Sequence, residues 1–408
     1  MNCAMNKIDE PVFKGMLVLE LASVLAGPSV GQFFAELGAS VVKLENAATG
    51  GDVTRTWKLA SEHTDTDISA YFSAANWGKL SVGLDITQPK ALQMVHRLAA
   101  QADMVIASYK PGDAEKLQVD YQTLSQLNPR LIYGHITGYG TEDRRAGYDA
   151  VVQAESGFMY MNGNPDGQPT KMPVALMDIL AAHQLKEGIL TALWLRERTG
   201  KGQYVTVSLL EAAVSALANQ ATNYLVAGHN PQRMGSEHPN IVPYGSVFTC
   251  QDGLPLVLAI GDDRQFGRLC AVLGSPELAE NPEFATNRDR VRNRAEVNKK
   301  LNELIGQWER GSLLEELNRR HVPAGAVNSV SEVFEQPQAR QMCLHGGEKM
   351  AGVRQVAFRG TGTGIATIMP PPAYAQHTLY VLQELAGLTV AELAELQRTA
   401  GIEGGKSN

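Results

Sequence analysis

Residues 15–45, GMLVLELASVLAGPSVGQFFAELGASVVKLE, restrict the possible folds more than any other stretch of this chain. The run MLVLEL is apolar but for Glu20, as suits a strand covered on both faces, and SVVKLE begins a second strand. Between them Gly27-Pro28 opens a helix and Gly38 closes it, with proline just inside the start and glycine just past the end. Val30, Phe33, Phe34 and Leu37 form one apolar helix face. The unit is therefore βαβ. ALQMVHRLAAQADMVIASY adds a helix and a strand, and LNPRLIYGHITGYG adds a strand ending in glycines. A parallel, Rossmann-like sheet is expected over residues 12–140, with ligands beyond the carboxyl ends of its strands.

Further along, GQYVTVSLLEAAVSALANQATNYLVAG reads as an alternating strand and a long helix. Near residue 228 the texture changes to a polar Gly/Pro loop followed by short strands. Residues 264–320 look helical, and the charges of NRDRVRNRAEVNKKLNELIGQW are expected to form a solvated face. From about residue 330 short strands and proline-rich connections return, then a final helix pair. A chain of 408 residues exceeds what one core usually serves, so more than one domain is expected. The boundaries read as a large α/β domain over 1–227, a small domain over 228–330, and a C-terminal segment over 331–408.

Composition narrows the chemistry. With a net charge of −7 and no basic run, neither nucleic acid nor an anionic membrane is the expected partner, because both require clustered Lys and Arg. Cys3, Cys250, Cys270 and Cys343 lie far apart, which suggests free thiols rather than disulfides or a zinc knuckle. The nine histidines form no HxH or HExxH pattern, so no metal site is expected. The start, MNCAMNKIDEPVFKG, has no apolar leader core, and no run approaches the roughly 20 apolar residues of a membrane helix. The expected location is cytoplasmic. The dinucleotide fingerprint GxGxxG, the P-loop and the GxSxG elbow are all missing. SVLAGPSVG still delivers a helix N-terminus to the top of the sheet. Such a turn either is purely structural or receives an anionic group.

The segment MPVALMDILAAHQLKEGILTALWLRERTGKG, residues 172–202, is a helix with one misfit. Leu185, Ile189, Ala192 and Leu193 make its buried stripe, and Gly200 ends it after about five turns. Asp178 falls at its start. Two roles fit an aspartate there: an N-cap that satisfies free backbone N–H groups, or a reactive carboxylate. His183 is near that carboxylate or simply on the helix surface. In AGYDAVVQAESG, Tyr148 reads locally as a buried, hydrogen-bonded tyrosine beside Asp149. On these residues alone the chain is an α/β protein for an anionic ligand with a candidate carboxylate nucleophile.

Nine segments, in order along nearly the whole chain, resemble the class III CoA-transferases (the CaiB/BaiF or formyl-CoA transferase-like family). They are VLELASVLAGPSVGQFFAELGASVVKLE, GDVTRTW, VGLDI, ADMVIASYKPG, LNPRLIYGHITGYG, AGYDAVVQAESG, PVALMDILAAHQLKEGILTALWLRERTGKGQYVTVSLLEA, HPNIVPYGSVFTCQDG and VPAGAVNSVSEVFEQPQ. The resemblance implies a nucleophilic aspartate at the head of the helix after PVA, the position of Asp178. It implies transfer of CoA from an acyl-CoA to a free acid through an aspartyl mixed anhydride and an aspartyl-CoA thioester. A helix N-terminus is expected to keep that carboxylate ionised.

By the same resemblance Val24, Leu25, Ala26, Leu84, Ser108, Tyr109 and Lys116 are expected to bind CoA. Trp57, Tyr148, Asp149 and the loop Gly235, Ser236, Glu237 and His238 are expected to border the substrate, the loop as a cover. No permanent cofactor is implied, CoA thioester being a substrate. ITGYG, MGSEHPNIVPY and GAVNSVSEVFEQPQ look closest to the succinyl-CoA:glutarate and related dicarboxylate branch. The implied architecture is a Rossmann-like large α/β domain built from both chain ends, a smaller middle α+β domain, and an interlocked homodimer of ring-like chains. Where many relatives read NRGKRS this chain has NWGKLS, so Trp77 and Leu80 replace two arginines, and Asn46 stands where arginine or proline is common. Tyr148 stands where the racemase branch carries its histidine base, which leaves 2-methylacyl-CoA epimerisation as the alternative reading, with non-catalytic CoA binding as another.

Overall fold

Six strands of the computed structural model form one parallel sheet: β1 (Leu17–Leu21), β2 (Ser40–Asn46), β3 (Lys79–Leu84), β4 (Met104–Ala107), β5 (Ile132–Thr137) and β6 (Gln203–Ser208). Their order is β3-β2-β1-β4-β5-β6, and every neighbouring pair is parallel. The connections reverse direction between β1 and β4, which is where a sheet of this type leaves a crevice at its carboxyl edge. The structure describes residues 10–347 and 350–400, and Cys3 lies outside them.

Helix α1 (Ala26–Glu36) follows β1, α2 (Pro89–Ala99) precedes β4, and α3 (Asp113–Lys116) follows it. Then come α4 (Asp149–Glu155) and the long α5 (Leu176–Thr199). One core joins Leu19, Val42, Val82 and Val105 of the sheet to Met94, Val95 and Leu98 of α2. Elsewhere α5 packs on α1 and β5, burying Leu185, Ile189, Ala192 and Leu193 as their spacing predicted. The approach to β5 is close: a Cβ added to Gly134 would lie 2.9 Å from Ile189 Cδ1. At 24 residues α5 is longer than the five turns expected, and it starts at Leu176, before Asp178. It ends as predicted at Gly200, which takes the left-handed conformation (φ 70°) that glycine adopts without steric cost.

The chain divides into two units, one comprising residues 1–156, 172–222 and 341–408, the other 157–171 and 223–340. The divisions differ from those expected at 228 and 330 for local reasons. Residues 157–171 join the second unit where the Gly235 N–H donates to the Gly163 carbonyl at 2.9 Å and Arg233 donates to the Tyr160 carbonyl at 3.0 Å. The segment after 330 is held there by the 3.2 Å ion pair of Arg310 with Glu332.

In the second unit β7 (Tyr244–Thr249), β8 (Pro255–Ala259) and β9 (Ala324–Ala326) form an antiparallel sheet. Helices α6 (Asp263–Val272), α7 (Arg294–Ile305) and α8 (Arg310–Arg319) pack their apolar residues into one core with that sheet. The charged stretch expected to be a solvated face has one exception. Arg290 is fully buried, its guanidinium over Phe266, donating to the Val242 and Phe284 carbonyls and paired with Asp263 at 2.7 Å. Back in the first unit, β10 (Cys343–Gly346) and β11 (Met350–Val353) make an antiparallel hairpin.

Candidate active site

The crevice predicted at the carboxyl edge exists as a cleft of about 540 Å³. Its walls come from the segments after four strands: Ala22 and Ser23 after β1, Gly50 and Asp52 after β2, Asp85 after β3, and Ser108 and Tyr109 after β4. Leu84, fully buried at the end of β3, also lines it. The Ser23 N–H donates to Ser108 Oγ at 3.4 Å across the switch point.

Under this cleft lies a buried ionic cluster. Lys43 Nζ pairs with Glu20 at 3.1 Å and Asp52 at 3.0 Å, and donates to the Ala22 carbonyl at 2.8 Å. Lys79 Nζ pairs with the other Glu20 oxygen at 2.7 Å and donates to the Pro28 carbonyl at 2.8 Å. Glu45 and Arg55 form a two-bond pair at 2.7 and 2.8 Å. Buried charges persist only when paired and hydrogen-bonded, and here each also ties down a loop. Burial works against the Asp52 charge, but Lys43 and Thr54 outweigh it and hold that carboxyl below its usual range.

Asp178 sits in the first turn of α5, 9% exposed. It is not the helix cap. Ala175 occupies the N-cap position without a side-chain bond, and Asp149 Oδ1 instead accepts the Met177 N–H at 2.8 Å. The second Asp149 oxygen accepts from Gln153 Nε2 at 2.7 Å. Among the described residues the Asp178 carboxylate has no hydrogen-bond or ion-pair partner. Burial, and then the charge of Asp149, push its pKa up to about 7. This reverses the expectation that the helix N-terminus alone keeps it ionised, because desolvation and a like charge outweigh a terminal dipole. The carboxyl is poised near neutrality instead.

Tyr71 belongs to the same neighbourhood: burial and then the charges of Asp178 and Asp149 raise the pKa of its hydroxyl. Trp57 stands edge-on to the Tyr71 ring at 5.0 Å and is 44% exposed. Trp57, Tyr71, Asp149 and Asp178 thus converge. Tyr148 is the exception to its local reading; it is 67% exposed, because its backbone begins α4 and its side chain stays outside. His183 lies on the exposed surface of α5.

Of the residues expected at CoA, Leu84, Ser108 and Tyr109 line the cleft, while Val24, Leu25 and Ala26 form the turn into α1 directly after Ser23. Lys116, on α3, points outward and pairs with Asp113 at 3.2 Å. The loop Gly235 to His238 belongs to the second unit and is anchored there. Glu237 accepts from Arg294 at 2.8 Å, Ser246 at 2.9 Å and Asn298 at 3.1 Å, so its carboxylate is committed inside its own unit. The His238 ring packs on Tyr244, and Gly235 and Ser236 are exposed.

Trp77 does not reach the cleft. It is fully buried beneath the β10–β11 hairpin, where a Cβ on Gly352 would lie 2.1 Å from its indole nitrogen. The aromatic residue at an arginine position is core. Tyr71, Asp52 and Lys43 were missed from the sequence; the nearest signal was Asp52 in GDVTRTW beside the first loop. Among the described residues no cluster of His, Cys, Asp or Glu is arranged to hold a metal, and no helix is long and apolar enough to cross a membrane. Cys250 and Cys270 are buried free thiols.

The chain is similar to several known proteins. A succinate–glutarate CoA-transferase of Agrobacterium fabrum is 40% identical over 403 residues, covering 96% of this chain and 98% of the relative. The human succinyl-CoA:glutarate CoA-transferase is 33% identical over 395 residues, covering 94% and 88%. The crystal structure of a CaiB/BaiF family protein from Brucella suis superposes with a TM-score of 0.82 at 40% identity, covering 92% of this chain and 100% of that one. The family model CoA-transferase family III matches residues 13–378, and the chain belongs to that family of enzymes.

Proposed function

We propose that this enzyme moves CoA from succinyl-CoA or a similar acyl-CoA to a free dicarboxylic acid, with Asp178 as nucleophile. The observation that carries the reading is the Asp178 carboxylate itself, buried in the first turn of α5 and free of any partner among the described residues. Relatives named for succinate and glutarate support the dicarboxylate class.

In the first step an Asp178 oxygen attacks the thioester carbonyl. The C–S bond breaks, leaving a mixed anhydride and CoA thiolate. The thiolate attacks the aspartyl carbonyl of that anhydride, releasing the donor acid and forming an aspartyl-CoA thioester. A carboxylate oxygen of the acceptor then attacks this thioester, expelling thiolate and forming a second anhydride. Thiolate attacks its acceptor carbonyl, which gives the new acyl-CoA and frees Asp178. No redox change and no external acid or base is needed, provided water is kept out. The cleft at the strand ends holds CoA through the 22–26 turn, Leu84, Ser108 and Tyr109, and Trp57, Tyr71 and Tyr148 border the acyl group. CoA is a substrate and no resident cofactor takes part. The reading extends to a cytoplasmic homodimer of interlocked ring-like chains, which sedimentation checks by a mass of two chains.

The test mixes enzyme with succinyl-CoA and analyses peptides by mass spectrometry. A CoA adduct on the peptide holding Asp178 is expected, and Asp178→Ala should abolish both adduct and exchange. Retained exchange in that variant refutes Asp178 as nucleophile.

A further inference from the structure

We propose that Asp52, braced by Lys43, is a positioning residue for acyl-CoA binding, clamping together the two lips of the cleft. One lip is the turn after β1. There Val24 has φ 71°, a left-handed conformation that is a true outlier for a β-branched residue and persists only when its surroundings impose it. Its N–H donates to Asp52 Oδ2 at 3.2 Å, with Oδ1 at 3.4 Å. The other lip is the segment after β2, in which Asp52 itself lines the cleft with Gly50 and Gly51.

Every other contact of Asp52 keeps its carboxylate aimed at Val24. Oδ1 accepts from the Thr54 N–H at 3.0 Å and the Thr54 hydroxyl at 2.8 Å, while Oδ2 meets Lys43 at 3.0 Å. Lys43 also donates to the Ala22 carbonyl at 2.8 Å, so one ammonium grips the carboxylate and the turn it holds. The Asp52 N–H donates to Glu45 Oε2 at 2.9 Å, anchoring the second lip to β2. With the Val24 N–H committed to Asp52, the turn leads into α1 with no acidic residue in the first turn and no side-chain cap. The clamp sets the width of the cleft while touching no reacting atom.

In Asp52→Asn the amide keeps its oxygen for Thr54 and turns its NH₂ toward Lys43 and the Val24 N–H. Three donors then face one another, and Val24 loses what holds it in the left-handed region. Glycine occupies that region freely, so Val24→Gly should suppress the Asp52→Asn defect.

The inference rests on reading this cleft as the CoA site. Asp52→Asn should raise KM for succinyl-CoA and Kd for free coenzyme A about tenfold, with kcat and the acceptor KM within about twofold of wild type. The double variant Asp52→Asn with Val24→Gly should recover most of that loss. A fall in kcat at unchanged KM, or no recovery in the double variant, overturns the clamp. If Asp52→Asn does not fold, Thr54→Val loosens the same carboxylate without changing charge. It should raise both constants about threefold, and unchanged constants overturn the clamp. Ser108→Trp obstructs the cleft separately. If it leaves free coenzyme A binding unchanged, the CoA reading of the cleft fails, whatever Asp52→Asn does.

Discussion

Asp149 Oδ1 accepts the backbone N–H of Met177 at 2.8 Å, so the cap of the long helix comes from a residue 28 positions earlier. The same bond brings a second carboxylate into the neighbourhood of Asp178, and after burial it is the charge of Asp149 that holds Asp178 near pH 7. One residue therefore satisfies the helix start and tunes the candidate nucleophile.

Asp149→Asn keeps an oxygen for the cap and removes the charge. The acid limb of kcat/KM should rise through about 7 in the wild type, since Asp178 must lose its proton to attack. In the variant that midpoint should move to lower pH while staying above the ordinary carboxylate range, because burial remains. A pH–rate profile from 5 to 9 measures it; an unmoved midpoint removes Asp149 as a tuning charge.

Asp178→Asn should abolish transfer yet stabilise the fold at pH 8. The folded pKa lies above the ordinary aspartate value of 3.8, so between about 4 and 7 the folded state binds more protons than the unfolded chain. Stability is lost as pH rises through that window. The asparagine variant carries no charge to desolvate, and should gain about 2 kcal/mol at pH 8 and almost nothing at pH 4. Urea unfolding at the two pH values is the check, and equal gains at both contradict the linkage.

Glu20→Gln strips the shared counter-ion from two buried ammonium groups, Lys43 and Lys79. Removing one partner of a buried pair costs about 3–5 kcal/mol, and here the substitution leaves Lys79 without an acidic partner and Lys43 with Asp52 alone. Denaturant titration should report a loss in that range, and a loss below about 1 kcal/mol, the size typical of surface pairs, means the cluster is hydrated in solution.

Gly352→Ala should destabilise by about 1–3 kcal/mol through collision with Trp77, whose ring is hemmed in by the hairpin. Combining it with Trp77→Leu should cost less than the sum of the two single changes, because the smaller side chain makes room. Additive costs in a thermal-unfolding cycle contradict the packing of Trp77 beneath β10–β11.

Much of the fold was legible because its signals are local. The apolar runs of β1 and β2, the Gly27-Pro28 start of α1 and the stripe from Leu185 to Leu193 each act within a few residues, and Gly200 ended α5 as expected. The crevice followed from the βαβ pattern, and the motif resemblance directed attention to Asp178. The rest depended on partners distant in sequence. Capping is one of the two roles the sequence leaves open to Asp178, but the acceptor at that helix start is Asp149, delivered by a different helix. Arg290 read as a surface charge, yet Asp263 and two carbonyls make its burial tolerable. Lys43 and Lys79 lie on separate strands, and only the parallel registers of β1 with β2 and of β2 with β3 bring both to Glu20. A residue's own sequence neighbourhood determines whether it can enter a helix or a strand. Whether its charge can be buried, and to what pKa, is decided by desolvation and by the groups that the tertiary fold places against it.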